Sequence, residues 1–325
     1  MIVDLHTQVW SSLDQLGTEI AERIRRRQTE NWGQFDGSPA AHEQAMKCVD
    51  VALVFGWRSQ RLKAEVPSEF IADFVRRDPA RRIGIAGIDP MAPDADEQVE
   101  RAFDLGLTGI SVSPACQGFH PAHSDALPIY EKCAEAGAPL FVMTGSPNPA
   151  SAMMEFARPS MWDEVARTFP KLPIVVNQLG WPWVDETLAL IEKHDHVFAD
   201  IAGISTRPWQ LYNALLTASG VRVLDKLLFA SGYPRDVPAK AIEVLYTVNS
   251  FSHGTQLPTI PRSQIRAIIE RDALGLLGID LDGAGRSLDS EREIEGESGV
   301  ADRDRSLSLD SESRSALTAG QDRDD

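Results

Sequence analysis

Along the chain, short unbroken apolar runs alternate with longer stretches in which apolar residues recur at helical spacing. The apolar runs fall at residues 1–8, 47–55, 82–90, 107–112, 139–143, 172–178, 196–201 and 226–231. Each is strand-sized and apolar over most of its length, which predicts strands buried on both faces, as in a parallel sheet. Between them, residues 10–27 carry Leu13, Leu16, Ile20 and Ile24 at helical period, and residues 67–77 carry Phe70, Ile71, Phe74 and Val75. Helices are likewise expected over 93–105, 129–136, 161–169, 184–193, 209–218 and 238–248. Eight strands separated by amphipathic helices predict an α/β protein of the (β/α)8 TIM barrel class. A doubly wound open sheet is the alternative, and the absence of a GxGxxG-type turn after any strand disfavours it.

Some segments stand outside that alternation. The first strand is followed by an unusually long connection, and its Gly/Pro/Asn-rich residues 31–39 fit either a lid or a solvated surface loop. A last helix over 261–277 is expected on the barrel flank. Beyond Gly278 the composition turns to Asp, Glu, Ser, Arg and Gly, and Ser-Leu-Asp-Ser-Glu occurs at both 287–291 and 308–312. The expectation is one barrel domain over 1–279 and a disordered acidic tail over 280–325.

Composition narrows the partners. The net charge is −16, and residues 280–325 hold 14 Asp or Glu against 6 Arg, so half of that excess lies in the tail. An acidic protein of this kind is expected to bind neither nucleic acid nor an anionic membrane, which leaves small molecules. Cys48, Cys116 and Cys133 are odd in number and share no CxxC or zinc-like spacing, so neither a disulfide framework nor a structural zinc site is expected. Without a basic then apolar leader pattern at the N-terminus, a cytoplasmic location is the expectation.

The strand ends carry the chemistry. Asp4-x-His6 closes the first strand, Met143 the fifth (with Gly145 beyond it), Gln178-Leu179-Gly180 the sixth and Ala230-Ser231-Gly232-Tyr233-Pro234 the eighth. In this order, together with Pro128-x-Tyr130 and Asp272-Ala273-x-x-Leu276-Leu277-Gly278, they resemble the amidohydrolase-related family of the amidohydrolase 2 type, the branch of the aminocarboxymuconate-semialdehyde decarboxylases and metal-dependent hydrolases. That resemblance implies a zinc or similar divalent ion on an HxH of strand one, histidines of strands five and six, and an aspartate of strand eight. Here those positions read His6, Gln8, Met143, Gln178 and Gly232. Amides are weak ligands, a thioether suits Cu(I) and glycine has no side chain. A degraded metal centre and no bound cofactor are therefore expected.

The remaining candidates follow from that loss. His6 and Asp236 are the catalytic candidates, and Gln8, Trp10, Trp57, Met143, Gln178, Ser231 and Arg235 the substrate-binding ones. A relocated metal set from His6, His120, His123 and Asp236 is the alternative. Trp181, Trp183 and Trp209 either join an apolar pocket or plug loops, and Arg58 and Arg207 fall on the same loops as Arg235. Functionally, the sequence predicts a metal-free pseudoenzyme that binds an organic acid, lactone or sugar derivative, as a homo-oligomer or beside an active paralogue. The alternative is an active hydrolase or decarboxylase.

Overall fold

The computed structural model describes residues 1–29, 35–144 and 149–281. Gly145, part of the 31–39 connection and nearly all of the expected tail lie outside the described residues.

Eight parallel strands form the expected barrel. They are β1 (Val3–Gln8), β2 (Val51–Phe55), β5 (Arg82–Gly87), β6 (Gly109–Val112), β7 (Leu140–Val142), β8 (Ile174–Val176), β9 (Val197–Asp200) and β10 (Leu227–Leu228), neighbours in that order. Two residues long, β10 pairs with β9 through Leu227 and Ala199. Backbone bonds close the ring onto β1: Leu5 N–H to Phe229 O at 3.1 Å, Gly232 N–H to His6 O at 3.1 Å and Gln8 N–H to Tyr233 O at 3.0 Å.

Side chains sort into the two layers that a barrel requires. Val3, Leu5, Leu53, Phe55, Ile85, Phe141, Val175 and Leu228 fill the bore. Ala52, Val54, Ile110, Val142, Val176 and Ala199 face outward into the helical layer. The expected last helix is in fact two. Arg262–Glu270 lies against the outer layer through Ile265, Ile268 and Ile269. Ala273–Leu277, capped by the Asp272 carboxylate on Gly275 N–H at 3.1 Å, sends Leu274 and Leu277 into the bore cluster and plugs it.

Two other departures bear on the mouth. The first helix breaks at Gly17 (φ +84°), leaving a short turn at Leu13–Leu16 and helix α1 at Thr18–Thr29. Residues after β2, expected as plain loop, pair as a small antiparallel hairpin, β3 (Trp57–Ser59) with β4 (Ala64–Val66). No helix of the described residues is long and apolar enough to cross a membrane.

Candidate functional site

The site begins with an irregularity in β1. Val3 pairs with Val51 and Asp4 with Ala52, but next Thr7 pairs with Val54, so Leu5 and His6 together stand opposite Leu53. Such a bulge breaks the alternation of faces. Leu5 remains in the bore, His6 also turns inward and stacks on Phe55 at 4.9 Å, and Thr7 turns outward. The Asp4 carboxylate holds the bulge: Oδ1 accepts the N–H of His6 at 3.3 Å and of Ser231 at 2.9 Å. Its Oδ2 is buried with no partner, and burial pushes the carboxyl up to about 6.

Outside the barrel, helix α2 (Pro39–Ala45) presses His42 onto Thr7. The Thr7 hydroxyl donates to Leu53 O at 2.6 Å, so His42 Nε2, 2.9 Å away, is the donor to it. The ring lies between the edges of Phe74 and Tyr233. Burial, with the Arg82 charge adding to it, holds its pKa down to about 3.

Opposite His6 stands Asp200, at the end of β9 and fully buried. Its Oδ1 accepts Gln178 N–H at 2.7 Å and Ala202 N–H at 3.0 Å, and its Oδ2 accepts the Asn177 amide. Oδ2 also lies 3.5 Å from His6 Nδ1. Gln178 and Leu179 take left-handed backbone angles (φ +56° and +50°) and Gly180 a third (φ +62°). Side chains avoid this region because Cβ crowds the carbonyl, so the run is strained, and it sits beside the cavity that Gln178 lines. The Gln178 side-chain oxygen Oε1 accepts from Arg235 Nη1 at 3.4 Å.

A cavity of about 150 Å³ opens at this end of the barrel, lined by His6, Gln8, Trp10, Trp57, Met143, Gln178 and Arg235 of the expected set. Cys116 and Ser113 line it too, with the Cys116 thiol pushed up to about 11 by burial and so neutral. The first helical segment borders it: Leu16, Ile20, Arg23 and Ile24, with Phe35, complete the wall. Trp57 and Trp10 are buried, and Gly37 lies so close to the Trp10 ring that a Cβ there would meet it at 2.4 Å.

Other expected residues are placed elsewhere. Ser231 is fully buried behind the mouth, its N–H on Asp4 and its hydroxyl accepting from Tyr233 N–H. Asp236 is also buried, with Oδ2 taking the Ser205 hydroxyl at 2.5 Å and Oδ1 the Val237 N–H. Neither lines the cavity. Arg58 is spent on Glu65 and Asp94, and Arg207 lies over the Trp181 ring. Trp209 is half-exposed on the surface. The relocated metal set does not assemble: His120 and His123 each accept a backbone N–H of their own loop, from Ala122 and Asp125. Sequence reasoning missed Asp200, Asn177 and Arg23. For Asp200 the available signal was an acidic residue at the mouth end of an otherwise apolar strand.

At the five ligand positions stand one imidazole, two amides, a thioether and Gly232, whereas a catalytic zinc takes three donor side chains. Among the described residues no three His, Cys, Asp or Glu side chains gather to hold one. The backbone has also closed over the strand-eight position. Gly232 has φ +76°, and a Cβ on it would lie 2.9 Å from the nitrogen of Gly203.

Comparison with known proteins agrees with the architecture. An uncharacterized TIM-barrel protein from Bordetella bronchiseptica superposes with a TM-score of 0.65 at 22% identity, over 88% of this chain and 99% of that one. A zinc-bound amidohydrolase from Burkholderia multivorans gives 0.63 at 12%, over 86% and 100%. The 5-carboxyvanillate decarboxylase from Sphingomonas paucimobilis gives 0.61 at 15%, over 86% and 99%. No curated protein matches. The amidohydrolase model of the Amidohydro_2 family matches residues 3–271, nearly the whole barrel, and the chain belongs to that family.

Proposed function

We propose that the barrel mouth binds a small organic acid or a related lactone or sugar derivative, and that it does so without a divalent metal. Gly232 carries this reading. A ligand aspartate cannot be accommodated there without moving Gly203, so the strand-eight donor is excluded by backbone as well as by residue type. What remains suits an anion or a polar oxygen. Gln8 and Gln178 offer amide N–H donors, and Arg23 and Arg235 bring guanidinium groups to the wall, which pair with carboxylates in a planar fork. Trp10, Leu16, Ile20 and Met143 supply the apolar remainder, and a void of about 150 Å³ is on the scale that takes up one benzene ring. With respect to the family's metal chemistry the protein is a pseudoenzyme.

The test combines metal analysis of the purified protein with titration calorimetry against small carboxylic acids. Less than 0.1 equivalent of any divalent metal, with saturable acid binding weakened about tenfold by Arg235→Ala, is expected for the loss of one charge-assisted pair. A stoichiometric divalent metal that leaves on His6→Ala would end the reading.

A further inference from the structure

We infer that helix α1 gates this cavity, hinged at Gly17 and latched by a clasp in which Glu19 and Arg61 hold the backbone of Ser151 from both sides. The gate controls, and rests on, the metal-independent binding described above. The lining is almost closed to solvent: His6, Trp10, Leu16, Trp57 and Cys116 are each between 3% and 7% exposed. Passage of a ring-sized ligand therefore requires a wall to move. The strands cannot supply that movement, since the ladder joins all eight and their side chains are buried on both faces. Helix α1 can. Its backbone neighbours chiefly the Leu13–Leu16 turn, which is seated on β4, and its Ile20 and Ile24 are only partly buried against the core. Gly17 joins helix to turn at φ +84°, a conformation that glycine adopts without steric cost and that suits a pivot.

The clasp itself lies at the surface. Glu19, in the first turn of α1, accepts the Ser151 N–H at 3.2 Å, and Arg61, in the turn between β3 and β4, gives Nε and Nη2 to the Ser151 carbonyl at 3.1 Å each. Ser151 belongs to the connection after β7, which begins with the cavity-lining Met143 and Thr144. Three walls of the mouth, α1, the hairpin carrying Trp57 and the connection after β7, are thus joined at one residue. The bonds from Ser151, with the Arg61 charge adding to them, hold the Glu19 carboxyl below its ordinary value, so the latch is charged at neutral pH. Its charge also reaches the thiol of Cys116, a lining residue, which sets the clasp beside the cavity. A second exposed pair, Arg25 with Asp14 at 2.6 Å, spans the hinge and tethers the helix to its turn when the clasp opens. Exposed bonds of this kind break at far less cost than a buried ladder. Because the clasp touches no ligand, breaking it raises the open fraction of free and loaded protein alike. Entry and release then quicken together, and affinity stays the same.

Stopped-flow binding of phenylacetate to the full chain tests it, with alkylation of Cys116 by iodoacetamide, followed by mass spectrometry, as a measure of opening that needs no ligand. Glu19→Ala is expected to raise kon and koff about fivefold each, the worth of one charge-assisted bond, with Kd within about twofold of wild type. Cys116 alkylation should quicken by the same factor, and phenylacetate should slow it. Glu19→Gln keeps an acceptor for the Ser151 N–H and should stay near the wild-type rates, whereas simple repulsion between Glu19 and an anionic ligand would be relieved equally by both changes. Arg61→Ala should also raise both rates, although losing a positive charge near the mouth would by itself slow the entry of an anion. Both side chains are exposed, and the unfolding midpoint of each variant serves as the control for folding. Wild-type rates and wild-type Cys116 reactivity in both alanine variants would overturn the gate. A rise in koff alone would overturn it too, by making Glu19 part of the ligand's wall. If phenylacetate does not bind wild type, the binding reading falls and Cys116 alkylation still decides the gate, which stands if the alanine variants react faster and falls if they do not.

Discussion

Gly232 lies so near Gly203 that a Cβ on it would be 2.9 Å from the Gly203 nitrogen, closer than ordinary side-chain contacts allow. The Gly203 N–H is itself held by Ser231 O at 3.0 Å, so the neighbour cannot simply withdraw. Combined with φ +76°, this makes Gly232→Asp unfavourable by about 1–3 kcal/mol. Denaturant unfolding should show that loss, and metal analysis of the variant should show no gain of zinc. A metal-loaded G232D of undiminished stability would contradict the closed-backbone account.

Asp4 gives the fold a pH dependence with a definite sign. Burial raises its carboxyl from an ordinary 3.8 to about 6, so the folded protein keeps this proton over a range where the unfolded chain has released it. Between about pH 4 and 6 the group therefore removes stability as pH rises, by on the order of 3 kcal/mol in total. Asp4→Asn cannot ionise and still offers an oxygen to His6 and Ser231. Measured by urea unfolding from pH 4 to 7, the variant should gain on wild type steadily as pH rises through that window; a constant difference would refute the assignment.

The barrel was legible in the sequence because parallel strands buried on both faces leave unbroken apolar runs, and His6 stood out as a titratable group ending one of them. What was hidden is backbone-level. Strict alternation would place Leu5 and Thr7 on one face and Asp4 and His6 on the other, but the bulge sends Leu5 and His6 inward together. No residue pattern announces a bulge, so the role of Asp4 as its clasp could not be read. Asp200 was visible only as a strand residue, since its partners Asn177, Gln178 and Ala202 meet it through tertiary structure. Asp236 showed the converse error: four residues past Gly232 suggests the mouth, yet Ser205 claims it. By contrast, the break at Asp272 carried a readable helix cap.

His42 acts in the opposite pH direction. Its folded pKa is about 3 against an ordinary 6.5, so the stability associated with the neutral ring is complete above 6.5 and is lost as pH falls towards 3. By pH 4 the loss should reach about 3 kcal/mol. His42→Gln can still donate an amide N–H to Thr7 but cannot charge, so its unfolding free energy should fall less than that of wild type between pH 6.5 and 4. Equal acid sensitivity in the two proteins would show that the ring is not the group responsible.

Gln178 joins strain to function at one residue. Its left-handed backbone costs a side-chain-bearing residue about 1 kcal/mol that glycine does not lose, and the bond it gives Asp200 comes from its backbone N–H, which glycine retains. Its side chain, on the other hand, lines the cavity and accepts from Arg235. Gln178→Gly should therefore unfold at a higher denaturant midpoint, by up to about 1 kcal/mol, while organic-acid affinity falls severalfold, the exchange expected where strain is kept for a binding group. Urea unfolding and calorimetry on the same preparation decide it. A variant that loses stability and keeps its affinity would mean that the side chain serves packing instead of the ligand.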